Sequence, residues 1–201
     1  MAKTYENLAD LIEYPDTDWN SKVAAIPADS VLSEFRSCIA TLSFSEAQEL
    51  YTRTFDLNPI CALEIGYHLF GENYKRGEFL ANLRETEAPF DLGQENQLPD
   101  YLPVLLRLLT RLKDEELRSS LISECLIPAL DKMLTSLKES NNPYRFLLDA
   151  LRTTLQSEAP IVSGDATRFS MRANLPVLSN SGRSFEITRM PFETNQNRDL
   201  F

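Results

Sequence analysis

Apolar residues recur at spacings of three and four positions along almost every segment of this chain up to residue 159. Such spacings place side chains on one face of an α-helix, whereas a half-buried β-strand requires apolar and polar residues to alternate. Sustained alternation does not occur before the C-terminal segment. The pattern predicts an all-α fold, and a length of 201 residues suits a single domain with a sizeable core.

Prolines, glycines and capping residues divide this pattern into ten predicted helices. The segment 101–112 has the widest apolar face and is predicted to be the central helix. Pro128 separates two others, because a proline inside a helix costs about 3 kcal/mol. The segment 89–99 has no periodicity and is predicted to be a loop. The ten helices are predicted at 5–13, 18–26, 31–42, from Ser43 or Ser45 to about 56, 58–70, 73–87, 101–112, 114–125, 128–139 and 143–157.

Several helix ends carry a recognisable cap. Ser43 or Ser45 can accept hydrogen bonds at the start of the fourth helix. Gly71 is expected to end the helix at 58–70, since glycine readily adopts a positive φ. Asp100 is expected to cap the central helix rather than to act as a catalytic acid.

The composition changes after Ala159, where Ser, Asn, Thr, Arg and Pro dominate. We therefore predict a helical domain over residues 1–159 and an extended or flexible C-terminal tail over 160–201. The tail holds five arginines and four acids, so of the formal charge of −10 it carries +1, and the helical domain carries −11. This acidity argues against nucleic acid or anionic lipid as a partner and favours a basic one.

Three cysteines, Cys38, Cys61 and Cys125, lie far apart and form no CxxC motif. Neither a disulfide framework nor a zinc site is predicted, and a reducing cytoplasm is expected. Residues 1–10 do not resemble a secretory signal, and the apolar stretch 102–109 is far shorter than the roughly 20 residues of a membrane-spanning helix. No stable membrane insertion is therefore expected.

The sequence offers few residues and motifs that could support catalysis. It contains no Walker-type phosphate loop, and its single histidine, His68, limits acid-base and nucleophilic schemes. Cys61, Glu64 and His68 would share one face of a continuous helix, but they need a further metal ligand that no second cluster supplies. A buried cysteine and a hydrogen-bonded histidine are expected instead, with no metal, no cofactor and no enzymatic activity.

Four motifs are more specific than the general helical pattern of apolar residues. They are Tyr51-Thr52-Arg53-Thr54-Phe55-Asp56, Ile65-Gly66-Tyr67-His68-Leu69-Phe70-Gly71-Glu72, Lys75-Arg76-Gly77 and Leu98-Pro99-Asp100-Tyr101-Leu102-Pro103. In order and spacing they resemble the NarJ family, the assembly chaperones of respiratory nitrate reductase and related molybdenum enzymes, within the wider TorD-like group. Ile127-Pro128-Ala129-Leu130 and Asn142-Pro143-Tyr144 are similar to the last helices of that family. The resemblance covers about residues 5–157, and Tyr101 stands where members often have histidine.

The resemblance implies a single-domain, TorD-like helical bundle that acts as a cytoplasmic chaperone. It implies binding of the apo catalytic subunit of a molybdenum oxidoreductase, often through its N-terminal segment, until the bis-pterin guanine dinucleotide cofactor is inserted. The chaperone itself holds no cofactor. The acidic domain fits a basic, twin-arginine-like peptide, because carboxylates pair with guanidinium groups, and an amphipathic peptide helix would add apolar contact. A homodimer remains possible, and the client enzyme is not identified.

The motif match supplies the candidate residues for a partner-binding groove and the hinge beside it. Each aromatic candidate can equally belong to the core, and Arg76 can pair with Asp56 or Asp100 to hold two helices in register. The alternative functions are a helical adaptor with an acidic groove for another basic partner, and a metal-dependent hydrolase built on Cys61, Glu64 and His68. The candidates are Tyr51, Phe55, Asp56, Glu64, Tyr67, His68, Arg76, Asp100 and Tyr101.

Overall fold

A computed structural model describes residues 2–93 and 96–159 of the chain, and the expectations for the tail at 160–201 lie outside these ranges. The described residues form an all-α bundle, which confirms the predicted fold class, and they contain no β-strand beyond one isolated bridge. The α-helices are α1 (Ala2–Ile12), α2 (Trp19–Ala24), α3 (Ser33–Ile39), α4 (Phe44–Tyr51), α5 (Ile65–Phe70), α6 (Tyr74–Glu87), α7 (Leu102–Arg111), α8 (Glu115–Ser120), α9 (Ile127–Leu137) and α10 (Tyr144–Glu158).

Helix α7 is the central helix of the bundle, as its wide apolar face predicted. All but three of its residues are buried. It packs along α1, and Arg107 fixes the pair by reaching Asp10 at 2.8 Å and Glu13 at 2.7 Å. A bundle built around this helix leaves the start of α7 beside α5 and α6, where the functional candidates lie.

The predicted helix at 58–70 is interrupted, which corrects the sequence interpretation. Pro59–Cys61 form one 3₁₀ turn, and α5 begins only at Ile65. Between them Glu64 makes an antiparallel bridge with Tyr101, flanked by hydrogen bonds from Ile65 N to the Asp100 carbonyl (2.8 Å) and from Leu102 N to the Leu63 carbonyl (2.9 Å). These hydrogen bonds between distant parts of the chain replace helical ones, so the backbone is extended here. Periodicity cannot reveal such a tertiary contact.

The predicted break at Pro128 is absent. A π-helical turn, Leu121–Leu126, connects α8 directly to α9, and Pro128 occupies the second position of α9. The N–H of Ile127 bonds the carbonyl of Ile122, five residues back. In this wider turn the backbone hydrogen bonds shift by one residue just before Pro128, which has no N–H and whose ring needs space. The helix can therefore continue through the proline.

Two predicted caps are confirmed and one choice is resolved. Ser43, not Ser45, caps α4, in a reciprocal capping box with Glu46. Gly71 ends α5 with φ +58°. In the described ranges, no helix has both the length and the apolar character needed to cross a membrane.

Candidate functional site

A cleft of about 540 Å³ opens where the segment after α4 meets the starts of α5, α6 and α7. Seven of the nine sequence candidates line it, although they come from four separate stretches of the chain. We call it the acidic cleft, because the carboxylates of Asp56 and Glu64 line it. Its lining residues are Tyr51, Phe55, Asp56, Pro59, Ala62, Leu63, Glu64, Tyr67, Arg76, Leu98 and Tyr101.

The floor of the acidic cleft is aromatic. The hydroxyl groups of Tyr51 and Tyr101 lie 3.3 Å apart, and both side chains are buried. Phe55 meets the Tyr51 ring edge-on, with 5.1 Å between ring centroids. Burial raises the pKa of both tyrosines, so the hydroxyl pair stays neutral. The aromatic candidates thus serve the core and the cleft together, each presenting only a small edge.

A π-helical turn explains how Asp56 joins Tyr51 and Phe55 at the cleft. The turn covers Thr52–Asp56 and is closed by a bond from Leu57 N to the Thr52 carbonyl, 2.9 Å long. In a regular α-helix, a residue five positions on lies about 140° around the axis. A π-helical turn has hydrogen bonds between residues five apart, so it places two such residues closer to the same side of the helix axis. Periodicity predicted a helix to residue 56 but gave no signal of this turn.

Behind the cleft wall, Asp100 is fully buried and links three segments. Its Oδ2 accepts from Gly66 N (3.0 Å) and from Arg76 Nε (3.3 Å) and Nη2 (3.2 Å). Burial raises the pKa of Asp100, while the Arg76 guanidinium opposes that shift. Its Oδ1 meets no hydrogen-bond partner within the described ranges.

The expectation that Asp100 caps the central helix is wrong. Tyr101 is the residue that precedes α7, without a side-chain cap, and Asp100 instead accepts from the first turn of α5. The expected pairing of Arg76 is confirmed for Asp100, and it ties the start of α6 to the segment before α7.

Gly66 makes this arrangement possible. A Cβ atom at this position would lie 2.7 Å from Asp100 Oδ2 and 3.0 Å from the Phe79 ring. Only a residue without a side chain lets α5 approach the buried carboxylate so closely.

The charge of the cleft is negative. Asp56 is exposed and Glu64 is half-buried, and neither has an ion-pair partner among the described residues. Arg76 is the one basic residue in the described lining, and it is engaged by Asp100 and stacked over the Tyr67 ring at 5.8 Å. Two carboxylates above an aromatic floor can accept hydrogen bonds from a guanidinium or ammonium group. This geometry is suited to recognition of a basic side chain.

His68 is the candidate that points elsewhere. It lines a neighbouring groove that shares Pro59 and Tyr67 with the acidic cleft. Its Nε2 lies 2.7 Å from the Ala62 carbonyl, and burial lowers its pKa, so the ring is neutral at physiological pH. The expectation of a hydrogen-bonded histidine is confirmed.

The interruption before α5 separates Cys61 from the helix that carries His68. Cys61 is buried, with its Sγ 2.9 Å from Ser136 Oγ, as expected of a core cysteine. Within the described ranges, no three His, Cys, Asp or Glu side chains are grouped so as to hold a metal ion.

Four lining residues, Pro59, Ala62, Leu63 and Leu98, were not sequence candidates. Leu98 opens the Leu-Pro-Asp motif and could have been inferred from it. The other three belong to the segment that was predicted as continuous helix, so their place in the cleft depended on recognising the break.

No protein-family model matches the chain. Several curated proteins are similar to it. A probable nitrate reductase molybdenum cofactor assembly chaperone, NarJ of Bacillus subtilis, is 27% identical over 165 residues, which cover 77% of this chain and 89% of that protein. The corresponding probable chaperone NarW of Escherichia coli is 28% identical over 162 residues, or 78% and 68% of the two chains. NarJ of Escherichia coli, also named as a nitrate reductase molybdenum cofactor assembly chaperone, is 27% identical over 154 residues, or 70% and 64%.

These relatives confirm the resemblance to the NarJ family: over most of its length, this chain is similar to proteins named as nitrate reductase molybdenum cofactor assembly chaperones.

Proposed function

We propose that this chain is an assembly chaperone that binds the apo catalytic subunit of a molybdenum oxidoreductase, a nitrate reductase or a related enzyme. Binding occurs at the acidic cleft, through the basic N-terminal segment of that subunit, and keeps it competent for insertion of the bis-pterin guanine dinucleotide cofactor. The relatives' names support the chaperone role. The same proposal makes the chain a non-enzymatic protein of the cytoplasm, which is consistent with its free cysteines.

One observation carries the proposal: seven motif-derived residues from four separate stretches meet in a single negatively charged cleft. Asp56 and Glu64 provide carboxylates for basic side chains, and the excess of acids over residues 1–159 attracts such a segment from a distance.

Apolar side chains around the cleft suit an amphipathic segment. Leu57 is 72% exposed beside Asp56, Ile60 is 61% exposed at the adjoining groove, and Leu98 is 45% exposed in the cleft lining. Large exposed apolar residues gathered at one site are typical of a binding surface. A peptide helix with basic residues on one side and apolar residues on the other would contact both features.

The test is calorimetric titration of the purified full chain with a peptide of the N-terminal segment of a molybdoenzyme catalytic subunit from the same organism. Saturable binding that weakens as salt rises is expected. The double variant Asp56→Asn/Glu64→Gln should weaken it about tenfold or more. A matched control, Glu34→Gln/Asp149→Asn, removes two carboxylates from a different groove and should leave affinity unchanged.

Other results would contradict the proposal. If the control pair weakened binding as much as the cleft pair, general charge rather than the cleft would be responsible. If the peptide did not bind, the motif match would reflect shared fold, and the adaptor with another basic partner would become the better hypothesis.

A second experiment tests the client itself. The tagged chain is used to isolate partners from its native host, grown with and without molybdate, and the partners are identified by mass spectrometry. Enrichment of a large molybdopterin-family subunit that lacks its cofactor is the expected result. Recovery of that subunit only in cofactor-loaded form would contradict binding of the apo form.

A further inference from the structure

The Asn142-Pro143-Tyr144 segment does not line the acidic cleft, yet it contacts the helical turn that carries two of the cleft residues. The Tyr144 ring is fully buried, with its centroid 4.8 Å from that of Phe55 and 6.2 Å from that of Tyr51. This motif therefore underlies the aromatic floor of the cleft.

Asn142 makes two hydrogen bonds with the two ends of its side-chain amide. Its Oδ1 accepts from Tyr144 N at 3.0 Å, at the start of α10. Its Nδ2 donates to Thr54 Oγ1 at 2.6 Å, across 88 positions of sequence. Thr54 is buried, and its hydroxyl in turn donates to the Leu50 carbonyl at 2.6 Å. A continuous chain of hydrogen bonds thus runs from α10 to the π-helical turn.

This chain of hydrogen bonds ends at Thr54, inside the π-helical turn at Thr52–Asp56. Turns of this kind are rare, occur mostly as single turns inside α-helices and are frequently found at functional sites. If the segment relaxed to regular α-helix, Asp56 would lie about 140° around the helix axis from Tyr51, and so away from its side. The cleft would then lose one of its two carboxylates.

We propose that Asn142, acting through Thr54, is a positioning residue that holds the π-helical turn and so keeps the Asp56 carboxylate in the acidic cleft. This inference rests on the proposed function, because its consequence is affinity for a basic segment. Neither Asn142 nor Thr54 lines the cleft, so both act from behind it.

The first test needs no client and measures hydrogen exchange of the Leu57 amide, whose bond to the Thr52 carbonyl closes the turn. Thr54→Val removes the hydroxyl at nearly constant shape, and Asn142→Asp keeps an acceptor for Tyr144 N but lacks the amide donor. Both should speed exchange of Leu57 about fivefold, whereas Thr54→Ser, which retains a hydroxyl, should restore protection. Unchanged exchange in both variants would overturn the inference.

The second test is a double-mutant cycle on affinity for the same N-terminal peptide. Thr54→Val should weaken binding about fivefold in the wild-type background and have no further effect in Asp56→Asn, because the carboxylate it positions is already gone. Asn142→Asp should also weaken binding, although its added negative charge would by itself favour a basic peptide.

The outcomes separate the two proposals. If the wild-type chain does not bind the peptide, the proposed function fails, and the exchange measurement still decides whether Asn142 holds the turn. If the wild type binds and Thr54→Val binds equally well, the positioning role is wrong. Equal weakening in both backgrounds would show that Thr54 acts through general stability and not through Asp56, which also overturns it.

Discussion

At the scale of single residues, the contact between Gly66 and Asp100 gives the sharpest prediction. Gly66→Ala brings a methyl group to within 2.7 Å of a carboxylate oxygen that Arg76 already fixes. Because Asp100 and the Phe79 ring are both buried, we expect a loss of about 2 kcal/mol in the free energy of unfolding, measured with urea.

Gly77 provides the matched control for this substitution. It lies within α6, and an added Cβ there would meet no described atom within 4 Å. Gly77→Ala should therefore stabilise the protein by about 0.5–1 kcal/mol. Equal effects of the two alanines would mean that α5 can move away from Asp100.

His68 predicts how stability depends on pH. Burial lowers its pKa, and nearby Lys132 adds to this effect, while the hydrogen bond to the Ala62 carbonyl opposes it, as do Glu64 and Asp100. Since the folded-state pKa lies below the ordinary value of 6.5, the unfolded state binds the proton more readily. Stability should therefore fall as pH drops from that value through the folded-state pKa.

The measurement compares unfolding free energies of wild type and His68→Gln between about pH 7.5 and pH 5. As this is the only histidine in the chain, the difference between the two profiles isolates its titration. The raised pKa values of Glu87 and Asp100 act in the opposite direction, but both carboxyl groups are present in both proteins. Parallel profiles would contradict a neutral, buried imidazole.

At the scale of secondary-structure elements, local sequence signals predicted helix ends and buried faces correctly wherever the controlling contact lies nearby in sequence. The capping box at Ser43, the glycine end of α5 and the apolar faces of α7 are all local. The break before α5 was missed because its cause, the bridge between Glu64 and Tyr101, joins residues 37 positions apart. The two π-helical turns were missed for a related reason, since packing and not periodicity selects them.

The start of α4 offers a test of that local chemistry. Ser43 Oγ accepts from Glu46 N, and the Glu46 carboxylate accepts from Ser43 N at 2.8 Å. Ser43→Ala should cost about 1 kcal/mol of unfolding free energy. Ser45→Ala, two positions on, should change it by no more than a few tenths, because Ser45 does not cap the helix. If the two substitutions cost the same in urea unfolding, the cap would be misassigned.

At the scale of the whole molecule, the family motifs predicted which residues meet but not how they are held. Seven candidates line one cleft, whereas Asp100 turned out to stand behind the wall and His68 beside it. The motif residues line the cleft, pack in the core or do both, and a sequence alone does not separate these placements. Tyr51 and Phe55 show why, because each packs against Tyr144 and also reaches the cleft floor.

The predicted division of the chain at residue 159 remains open to a direct test. The last turn of α10 is secured within the described domain: Leu155 is fully buried, Ala159 packs against the core, and Glu158 pairs with Arg118. A protein shortened to residues 1–159 should therefore unfold at the same urea concentration as the full chain. Glu158→Ala in the shortened protein should lower the free energy of unfolding by about 2 kcal/mol, because the half-buried Arg118 loses its carboxylate. If shortening alone cost as much as Glu158→Ala, residues 160–201 would contribute to the stability of the bundle, and the boundary would have to move beyond 159.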